Sequence, residues 1–582
     1  MSYFNTLKED INKILKNIIL KKKYKKEIYN KIQISDPPSG IHADVSTNIA
    51  FTACKFLKIS PRDFADIVVT ELKKLNYIKK IIIEGPGFIN IDLKKKYWLK
   101  EIKEVLVKNG RYGESNIGKL KKVVIEFVSA NPTGPLHIGH CRGAVYGDVL
   151  SNIMKKLGYK VYKEYYINDT GAQIDKLTNS VIFRYEELFN KSKKLIKANL
   201  YPGEYLIDLA KDLKKKYGPR LKENNNKNHN IIKKFSLNWI VKQIKHDLNL
   251  LGVKFDSFYS ENELVKKKKV SLCINNLKKN KLIYQGIPEK PKSGDLDEWE
   301  PRKQYLFKST KFGDDVDRAL QKSDGDYTYF AKDIAYHFDK YKRGFNFMIN
   351  VWGADHGGYI KRLSSAVKAL TNDKANLVIK ICQLVKVTDK KKVLKMSKRE
   401  GNFISLRKVI GNVGKDVTRF IMLLRKNNDD IDFDLEKIKI ESNDNPVFYV
   451  QYAHARCCSV LREAKKTFGQ NEIKFEKVKK NNMKSINSVE ELSLIQEIVK
   501  WPKILEESVN HQEPHRITYY LQSLASVFHS LWNYGKKDPT RKFVVAEDKN
   551  LTLERLALIY SARIILSNGL NLLGVKPLNV MR

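Results

Sequence analysis

Residues 123–158 contain, in order, a short apolar segment, a turn rich in proline and glycine, and an amphipathic segment. The apolar segment 123–128 is bounded by turn residues, which is typical of a buried strand. Apolar residues then recur at helical spacing over residues 141–158, at Val145, Val149, Ile153 and Leu157. A strand, a tight turn and a helix in succession are the building unit of an open α/β sheet. The sequence therefore predicts a doubly wound nucleotide-binding domain that contains this unit.

The turn ends in His137-Ile-Gly-His140, at the start of the predicted helix. Free backbone N–H groups and the positive end of the helix dipole make such a position suitable for phosphate. The two imidazoles can hydrogen-bond phosphoryl oxygens, and Gly139 has no Cβ to obstruct a purine. Taken alone, these four residues would more often form a turn with two surface histidines. The flanking strand and helix favour a nucleotide site in which His137 and His140 are catalytic.

A second polar segment, Lys395-Met-Ser-Lys-Arg-Glu-Gly-Asn402, follows an apolar run at 377–387 and a charged turn. Ammonium groups on a glycine-containing loop can close over a polyphosphate and stabilise the transition state of nucleotidyl transfer. Such a lysine cluster alone is usually a solvated turn, because this chain is rich in lysine. Together with the histidine turn, it indicates nucleotidyl-transfer chemistry, with Lys395 and Lys398 as catalytic residues.

The chain has 582 residues and a formal net charge of +44. This length is too great for one hydrophobic core and predicts three or four domains. The charge predicts binding to a polyanion, for which nucleic acid is the obvious partner. Part of the excess reflects a general abundance of lysine, asparagine and isoleucine, so the charge supports RNA binding without proving it.

The cysteine pattern predicts reduced thiols and no zinc site, because no pair has the spacing of zinc ligands. We therefore expect a cytoplasmic protein. The N-terminus lacks the apolar core of a signal peptide, and no run approaches the roughly 20 apolar residues of a membrane helix. No membrane association is expected. The six cysteines are Cys54, Cys141, Cys273, Cys382, Cys457 and Cys458.

The histidine turn followed by the lysine loop resembles the HIGH and KMSK motifs of class I aminoacyl-tRNA synthetases. Three longer strings resemble arginyl-tRNA synthetases in particular, and the resemblance covers essentially the whole chain. It implies ATP-dependent attachment of L-arginine to its tRNA through an arginyl-adenylate, with ATP as substrate and Mg²⁺ implied by the ATP chemistry. The strings are Ser129-Ala-Asn-Pro-Thr-Gly-Pro-Leu-His-Ile-Gly-His140, Val351-Trp-Gly-Ala-Asp-His356 and Asn445-Pro-Val-Phe-Tyr-Val-Gln-Tyr-Ala-His-Ala-Arg456.

A multidomain α/β organisation follows from the local patterns and this resemblance. The nucleotide-binding, Rossmann-like catalytic domain is expected in two halves around a mostly helical insertion. A small α+β domain precedes it, and an all-α bundle follows, with helices over 447–461, 495–504, 517–532 and 556–573. By resemblance, the first domain contacts tRNA and the last binds the anticodon. The predicted ranges are 1–112, 113–175, 176–325, 326–434 and 435–582, and the protein is expected to be a monomer.

Tyr329 and Asp333 are four residues apart in a predicted helix and therefore share one face. An aromatic ring beside a carboxylate suits a guanidinium, which stacks on the ring and forms a charge-assisted fork with the acid. Spacing alone is weak support, because most helices contain some such pair. By resemblance, this pair binds the arginine side chain, and Glu261 supplies a second carboxylate. Further arginine contacts are expected from Ser129, Asn131 and His356.

Other expected contacts rest on the same resemblance. ATP is expected to contact Pro135, Gly139, Gly353, Asp355, Met396 and Ser397, besides the two histidines and Lys398. The tRNA is expected to contact Tyr449, Gln451, Tyr452, Arg456 and Met581, although packing between helices is an alternative role for each. Many family members lack the second lysine of the KMSK loop and need bound tRNA to activate arginine. Because Lys398 is present, that dependence stays open.

Two other functional classes remain open at this point. One is a small nucleotidyltransferase of the HxGH type, which would make a dinucleotide-like cofactor. The chain length, the lysine loop and the helical C-terminal region argue against it. The other is a non-catalytic tRNA-binding paralogue. Both histidines and both loop lysines are present, which a decayed site would not require.

Overall fold

The computed structural model describes most of the chain, with gaps that include the lysine loop. The described residues are 3–19, 28, 31–37, 40–41, 43–56, 58–189, 199–223, 225–289, 301–389, 392–394, 404–440 and 445–581. All six cysteines lie within these ranges, and all are buried and free of disulfides.

The N-terminal region packs helices against a four-stranded antiparallel sheet of order β1-β2-β4-β3. Ser60 caps α3 by accepting a hydrogen bond from the Asp63 backbone N–H, with Pro61 in the first turn. The elements are α1 (Tyr3–Ile18), β1 (Ile34–Ser35), β2 (Val45–Thr47), α2 (Ile49–Ala53), α3 (Pro61–Leu72), β3 (Ile78–Glu84), β4 (Phe88–Leu93) and α4 (Lys95–Lys108).

The centre of the molecule is a five-stranded, fully parallel sheet of order β12-β11-β5-β6-β7. Strand order reverses between β5 and β11, where an open α/β sheet forms a ligand crevice at its carboxyl edge. The predicted strand–turn–helix unit is present as β5 and α5. The elements are β5 (Lys122–Glu126), α5 (Ile138–Lys156), β6 (Lys160–Ile167), α6 (Ala172–Glu187), β7 (Ser257–Ser260), α11 (Tyr329–Lys342), β11 (Phe347–Gly353), α12 (Ile360–Thr371) and β12 (Asn376–Cys382).

The range 176–325 differs in two ways from the expected helical insertion. It contains β7, which pairs in parallel with β6 as an edge strand of the central sheet. It also contains a three-stranded antiparallel sheet of order β10-β9-β8. A four-residue edge strand of half-buried residues has neither the apolar run nor the alternation that sequence patterns detect. The remaining elements are α7 (Tyr205–Tyr217), α8 (Asn226–Leu250), α9 (Glu261–Lys266), α10 (Lys269–Lys279), β8 (Ile283–Gly286), β9 (Gln304–Phe307) and β10 (Arg318–Gln321).

A small sheet of order β14-β13-β15 leads from the central sheet into a C-terminal helical bundle. The helix expected over 495–504 is two helices, because Pro502 lies in the first turn of α19 and cannot continue α18. The elements are β13 (Val385–Asp389), β14 (Lys392–Leu394), α13 (Leu406–Val413), α14 (Lys415–Ile421), β15 (Ile431–Asp434), α15 (Leu435–Lys439), α16 (Pro446–Phe468), α17 (Phe475–Lys480), α18 (Val489–Val499), α19 (Trp501–Asn510), α20 (His515–Lys537) and α21 (Lys549–Leu573).

Helix α21 is the central helix of this bundle. Of the described helices, it alone is long and apolar enough to cross a membrane by length and composition, a property that the sequence patterns did not predict. Within that apolar window, 72% is buried inside the protein, as in the core helix of a globular bundle.

A buried charged cluster joins the bundle to the central sheet. Arg419 of α14 is 1% exposed and donates to the Leu573 carbonyl at 2.6 Å and to the Leu251 carbonyl at 3.0 Å. It also donates to Asp148 Oδ2 of α5 at 2.5 Å, and Asp148 Oδ1 accepts from Lys163 of β6 at 2.6 Å. Every charge in this cluster has an opposite partner, as buried charges require.

Candidate active site

The predicted site residues that the structure describes outside the bundle gather at the carboxyl edge of the central sheet. The turn after β5 carries Ser129, Asn131 and the two histidines. Glu261 begins α9 directly after β7, and Tyr329 and Asp333 lie in the first two turns of α11. The turn after β11 contributes Asp355 and His356. Because parallel strands bring their carboxyl ends to one edge, residues far apart in the sequence line one cleft.

His137 and His140 cap the start of α5 by hydrogen bonding to its backbone. His137 Nδ1 accepts from the Gly139 backbone N–H at 3.1 Å, and His140 Nδ1 accepts from the His137 backbone N–H at 3.2 Å. A ring nitrogen that accepts carries no proton, so in each neutral imidazole the proton lies on Nε2. A Cβ added at Gly139 would lie 2.9 Å from His137 Cε1, so glycine is needed for this ring position. The cap therefore fixes both rings as Nε2–H donors.

The segment that follows the lysine loop is attached to the histidine turn. His137 forms an isolated antiparallel bridge with Ser405, and the Leu406 backbone N–H donates to the Leu136 carbonyl at 2.9 Å. The predicted loop residues Lys395, Met396, Ser397 and Lys398 lie outside the described residues. The end of the loop segment is thus held beside the histidines.

The backbone after β5 is strained. Val128 has φ of 67° and Ser129 has φ of 38°, a conformation that is uncommon for residues other than glycine and rarest for a β-branched one. The turn places Ser129 Oγ where it donates to Glu126 Oε1 and accepts from the Tyr166 backbone N–H, both at 3.1 Å. Strain of about 1–3 kcal/mol per residue persists where the surroundings fix the conformation, commonly at functional sites.

A buried hydrogen-bond chain joins β5 and β11 to α11. Lys340 is fully buried and donates to Glu126 Oε2 at 2.6 Å and to Asn350 Oδ1 at 3.2 Å. Asn350 Nδ2 lies 2.8 Å from His337 Nε2, and His337 Nδ1 lies 2.8 Å from the Asp333 carbonyl oxygen. Burial, followed by the Lys340 charge, lowers the pKa of His337 well below its usual value, so the ring is neutral. The chain fixes α11 against the sheet at Asp333.

Asp333 is part-buried and forms no ion pair with any residue that the structure describes. The pKa of its carboxyl group is raised to about 7, mainly by burial; a hydrogen bond with Tyr359 and the charge of Lys340 oppose the shift, and the charges of Glu261 and Glu126 add to it. The Tyr329 hydroxyl lies over the backbone at Gly171, where an added Cβ would be 3.0 Å away. The Tyr329 ring is 45% exposed. The exposed ring of Tyr329 and the carboxyl group of Asp333, which has no ion-pair partner among the described residues, therefore lie one turn apart on α11.

Glu261 is buried and already has partners. Tyr166 donates to its Oε2 at 3.2 Å, and Lys332 donates to its Oε1 at 2.9 Å. Thr170 also donates to Oε1. Glu261 thus reaches the cleft with its charge balanced by Lys332.

The other predicted cleft residues lie close to solvent. Asn131 is exposed and donates to Gln173 Oε1 at 2.9 Å. Asp355 and His356 are exposed, and His356 Nε2 lies 3.6 Å from Asp355 Oδ2. Gly353 ends β11, where a Cβ would lie 2.7 Å from Asp355 Oδ1, and Pro135 is half-buried in the histidine turn.

The predicted RNA-contacting residues lie on or beside α16. Gln451 is 4% exposed and donates to the Lys576 carbonyl at 2.8 Å, so in this structure it packs against the C-terminal segment. Arg456 lies over the Tyr452 ring, 4.2 Å from its centroid, and donates to its hydroxyl at 2.9 Å. Tyr449 and Met581 are half-buried.

Sequence patterns missed several residues of this site, among them Glu126, Lys332, Lys340 and Asn350. Lys332 could have been found, since it lies three residues after Tyr329 and therefore on a neighbouring part of the same helix surface. The other three had no recognisable spacing. No group of three or more His, Cys, Asp or Glu side chains in the described ranges is arranged to hold a metal ion.

Three family models match the chain in succession. Residues 5–93 match the arginyl tRNA synthetase N terminal domain, 101–453 the catalytic domain of class I (R) tRNA synthetases, and 450–581 the DALR anticodon binding domain.

Relatives and solved structures agree with these matches. An arginine–tRNA ligase from Wolbachia sp. subsp. Brugia malayi is 46% identical over 94% of this chain and 95% of its own length. One from Rickettsia felis is 44% identical over the whole of both chains. The arginyl-tRNA synthetase structure from Thermus thermophilus is 19% identical, covers both chains fully and has a TM-score of 0.73, so it shows a similar fold.

Proposed function

The chain belongs to the arginyl-tRNA synthetases and attaches arginine to tRNA, and we propose that it does so through an arginyl-adenylate formed in the cleft between β5 and β11. The two other classes considered from the sequence are set aside, because arginine–tRNA ligases match the chain over nearly its full length.

ATP lies with its triphosphate over the start of α5. His137 and His140 donate hydrogen bonds from Nε2 to phosphate oxygens. Nε2 carries the proton in each ring because Nδ1 accepts a hydrogen bond from the backbone. The arginine carboxylate attacks the α-phosphorus, and the bond to the pyrophosphate leaving group breaks. The enzyme contributes positioning and charge stabilisation. Lys395 and Lys398 close on the phosphates, and Pro135, Gly139, Gly353, Asp355, Met396 and Ser397 complete the ATP contacts.

Mg²⁺ accompanies ATP as the counter-ion of its phosphates. The described residues offer no carboxylate cluster that fits a protein-held magnesium ion. We therefore assign no step of the reaction to protein-bound Mg²⁺.

The arginine side chain lies between Tyr329 and Asp333. The observation that carries this proposal is Asp333 itself: it lies one helical turn after Tyr329 on α11, and it forms no ion pair with a described residue. A guanidinium supplies that charge and stacks on the ring. Ser129, Asn131 and His356 are the further arginine contacts, with Asn131 and His356 at the α-amino group and the ribose, and Glu261 is the second carboxylate of the pocket.

Transfer follows when the 3′-terminal hydroxyl of tRNA attacks the arginyl carbonyl and AMP leaves. The described residues contain no obvious general base beside this position, so a phosphate oxygen of the adenylate takes the proton. The helical bundle binds the anticodon region through Tyr449, Tyr452, Arg456 and Met581, and the N-terminal domain contacts the outer part of the tRNA. The enzyme is a cytoplasmic monomer in this proposal.

The test is aminoacylation with each of the twenty amino acids, ATP and total tRNA, alongside ATP–pyrophosphate exchange with and without tRNA. We expect that tRNA is charged with arginine and with no other amino acid, and that ATP–pyrophosphate exchange depends on arginine. Exchange that proceeds without any amino acid would contradict the adenylate proposal. The difference between the exchange rates with and without tRNA tells whether activation requires tRNA.

The KM for arginine is expected to depend on pH through Asp333. Its pKa of about 7 in the empty pocket means that the carboxyl is mostly protonated below pH 7, whereas guanidinium binding needs the ionised form. Arginine affinity is therefore complete only about one pH unit or more above 7, is about half of that at pH 7, and is lost at lower pH by about tenfold per pH unit. The measurement is KM for arginine from pH 5.5 to 8 at saturating ATP and tRNA, with Asp333→Asn as control. A flat profile in the parent would refute the role of this ionisation.

Tyr452→Ala is expected to weaken tRNA binding by roughly 1–3 kcal/mol if an anticodon base stacks on the ring. The Arg456 guanidinium also stacks on this ring and donates to its hydroxyl. Tyr452→Phe therefore serves as control, because it keeps the aromatic face and removes only the hydroxyl. Filter binding of tRNA measures the effect. Equal loss in both variants would mean that the hydroxyl contact with Arg456, and not stacking, is what matters.

A further inference from the structure

Lys332 occupies a position that a substrate cation would also favour. Its Nζ lies 2.9 Å from Glu261 Oε1 and 3.5 Å from Thr170 Oγ1. The same nitrogen lies 5.3 Å from the centroid of the Tyr329 ring. The Lys332 side chain is 17% exposed and that of Glu261 is 3% exposed. An ammonium thus lies between a carboxylate and an aromatic face in the cleft.

The partners of Lys332 are the groups that bind a guanidinium. A buried carboxylate and a ring face give a cation both charge compensation and cation–π attraction. Glu261 must keep a cationic partner when the pocket is empty, because an unpaired buried carboxylate is costly. Lys332 meets that need, and it precedes Asp333 directly in α11.

We propose that Lys332 is a built-in competitor of the substrate: its ammonium holds Glu261 in the empty enzyme, and arginine displaces it when the guanidinium binds. This rests on the proposed arginine pocket. On displacement, the flexible lysine stem carries the ammonium towards water, since the side chain already reaches the surface. One cation replaces another at Glu261, so its buried charge stays balanced throughout.

The exchange also makes Lys332 a specificity-determining residue. Arginine brings a planar fork that can bind a carboxylate through two hydrogen bonds, which the single ammonium of Lys332 cannot do. Free lysine or ornithine brings an ammonium equal to the one it must displace and therefore gains nothing at Glu261. A competing cation within the chain disfavours the wrong substrates more than the right one.

Two substitutions separate competition from simple positioning of Glu261. Lys332→Met keeps the length of the side chain and removes the competitor. If the ammonium occupies the position nine-tenths of the time, KM for arginine falls about tenfold in this variant while kcat stays within about twofold. Lys332→Arg places a guanidinium of the chain beside Glu261, where it can form the same two hydrogen bonds as the substrate. The KM for arginine is therefore expected to rise in this variant. A lysine that only positions Glu261 predicts the opposite order, with KM raised in Lys332→Met and nearly unchanged in Lys332→Arg.

The control is Lys342→Met, because Lys342 is an exposed lysine of the same helix that lies over Phe338, 5.0 Å from its ring centroid. KM and kcat are measured by arginine-dependent charging of tRNA at saturating ATP, together with inhibition by free L-lysine. Inhibition by lysine is expected to strengthen in Lys332→Met. A KM that is unchanged or raised in Lys332→Met overturns the competitor role and leaves the proposed function intact. Failure of the parent enzyme to form arginyl-tRNA would overturn both.

Discussion

Asp333→Asn is expected to lower kcat/KM for arginine by one to several orders of magnitude while leaving ATP affinity unchanged. Removing one partner of a desolvated charge pair costs about 2–5 kcal/mol, and each 1.4 kcal/mol is about tenfold. Asparagine keeps the shape and one acceptor and loses only the charge. Because Asp333 forms no ion pair with a described residue, the substrate guanidinium is the partner that it would lose.

Selectivity gives the sharper measurement for the same variant. Citrulline is a neutral isostere of arginine, so its disadvantage relative to arginine should disappear in Asp333→Asn. Lysine should not become a better substrate, since its ammonium cannot form the paired hydrogen bonds of a guanidinium and still lacks a counter-charge. Arginine, citrulline and lysine would compete in ATP–pyrophosphate exchange with tRNA present. An arginine-to-citrulline ratio that the substitution does not change would place the guanidinium elsewhere, with Glu261 as the remaining carboxylate.

His140→Ala is expected to lower kcat for aminoacylation by about 10²–10³, with little change in KM for arginine. The loss corresponds to about 2.7–4 kcal/mol for one donor aimed at charge that develops in the transition state. The structure supplies the reason that His140 can donate: its Nδ1 accepts from the His137 backbone, which leaves the proton on Nε2.

The control for this variant is His140→Asn, because asparagine can still accept from the His137 backbone N–H and preserve the helix cap. If the catalytic donor matters, both variants lose activity to a similar degree. If the cap matters, only His140→Ala loses it, and the assigned role is wrong. A kcat within twofold of the parent in His140→Ala would also contradict the catalytic role.

The parts of the fold that were predictable depend on neighbours in sequence. The strand–turn–helix unit follows from apolar spacing over residues 123–158 and is present as β5 and α5. The edge strand β7 was missed because four half-buried residues carry no periodic signal. The split between α18 and α19 was missed although Pro502 marks it, because the apolar period continues across the break.

The residues of the site were also predictable where they are neighbours in the sequence and were missed where they are far apart. Tyr329 and Asp333 were visible as one helix face, whereas the pair formed by Glu126 and Lys340 joins residues 214 positions apart. Lys332 and Glu261 are 71 positions apart, and nothing local indicates that the lysine neutralises the acid. The hydrogen bond from Gln451 to the Lys576 carbonyl likewise joins residues far apart in the sequence, and no local pattern indicates that this side chain is buried.

The buried cluster around Arg419 has a consequence for the order in which the chain is made. Asp148 and Arg419 leave the ribosome well before Leu573, whose carbonyl oxygen is one of the groups that Arg419 needs. At about 5–20 residues per second, the intervening 154 residues take on the order of ten seconds to synthesise. Until then, the guanidinium lacks one of its acceptors, and α5, the helix that carries both histidines, lacks part of its packing. The packing of α5, and with it the catalytic domain, is therefore completed only after α21 has been synthesised.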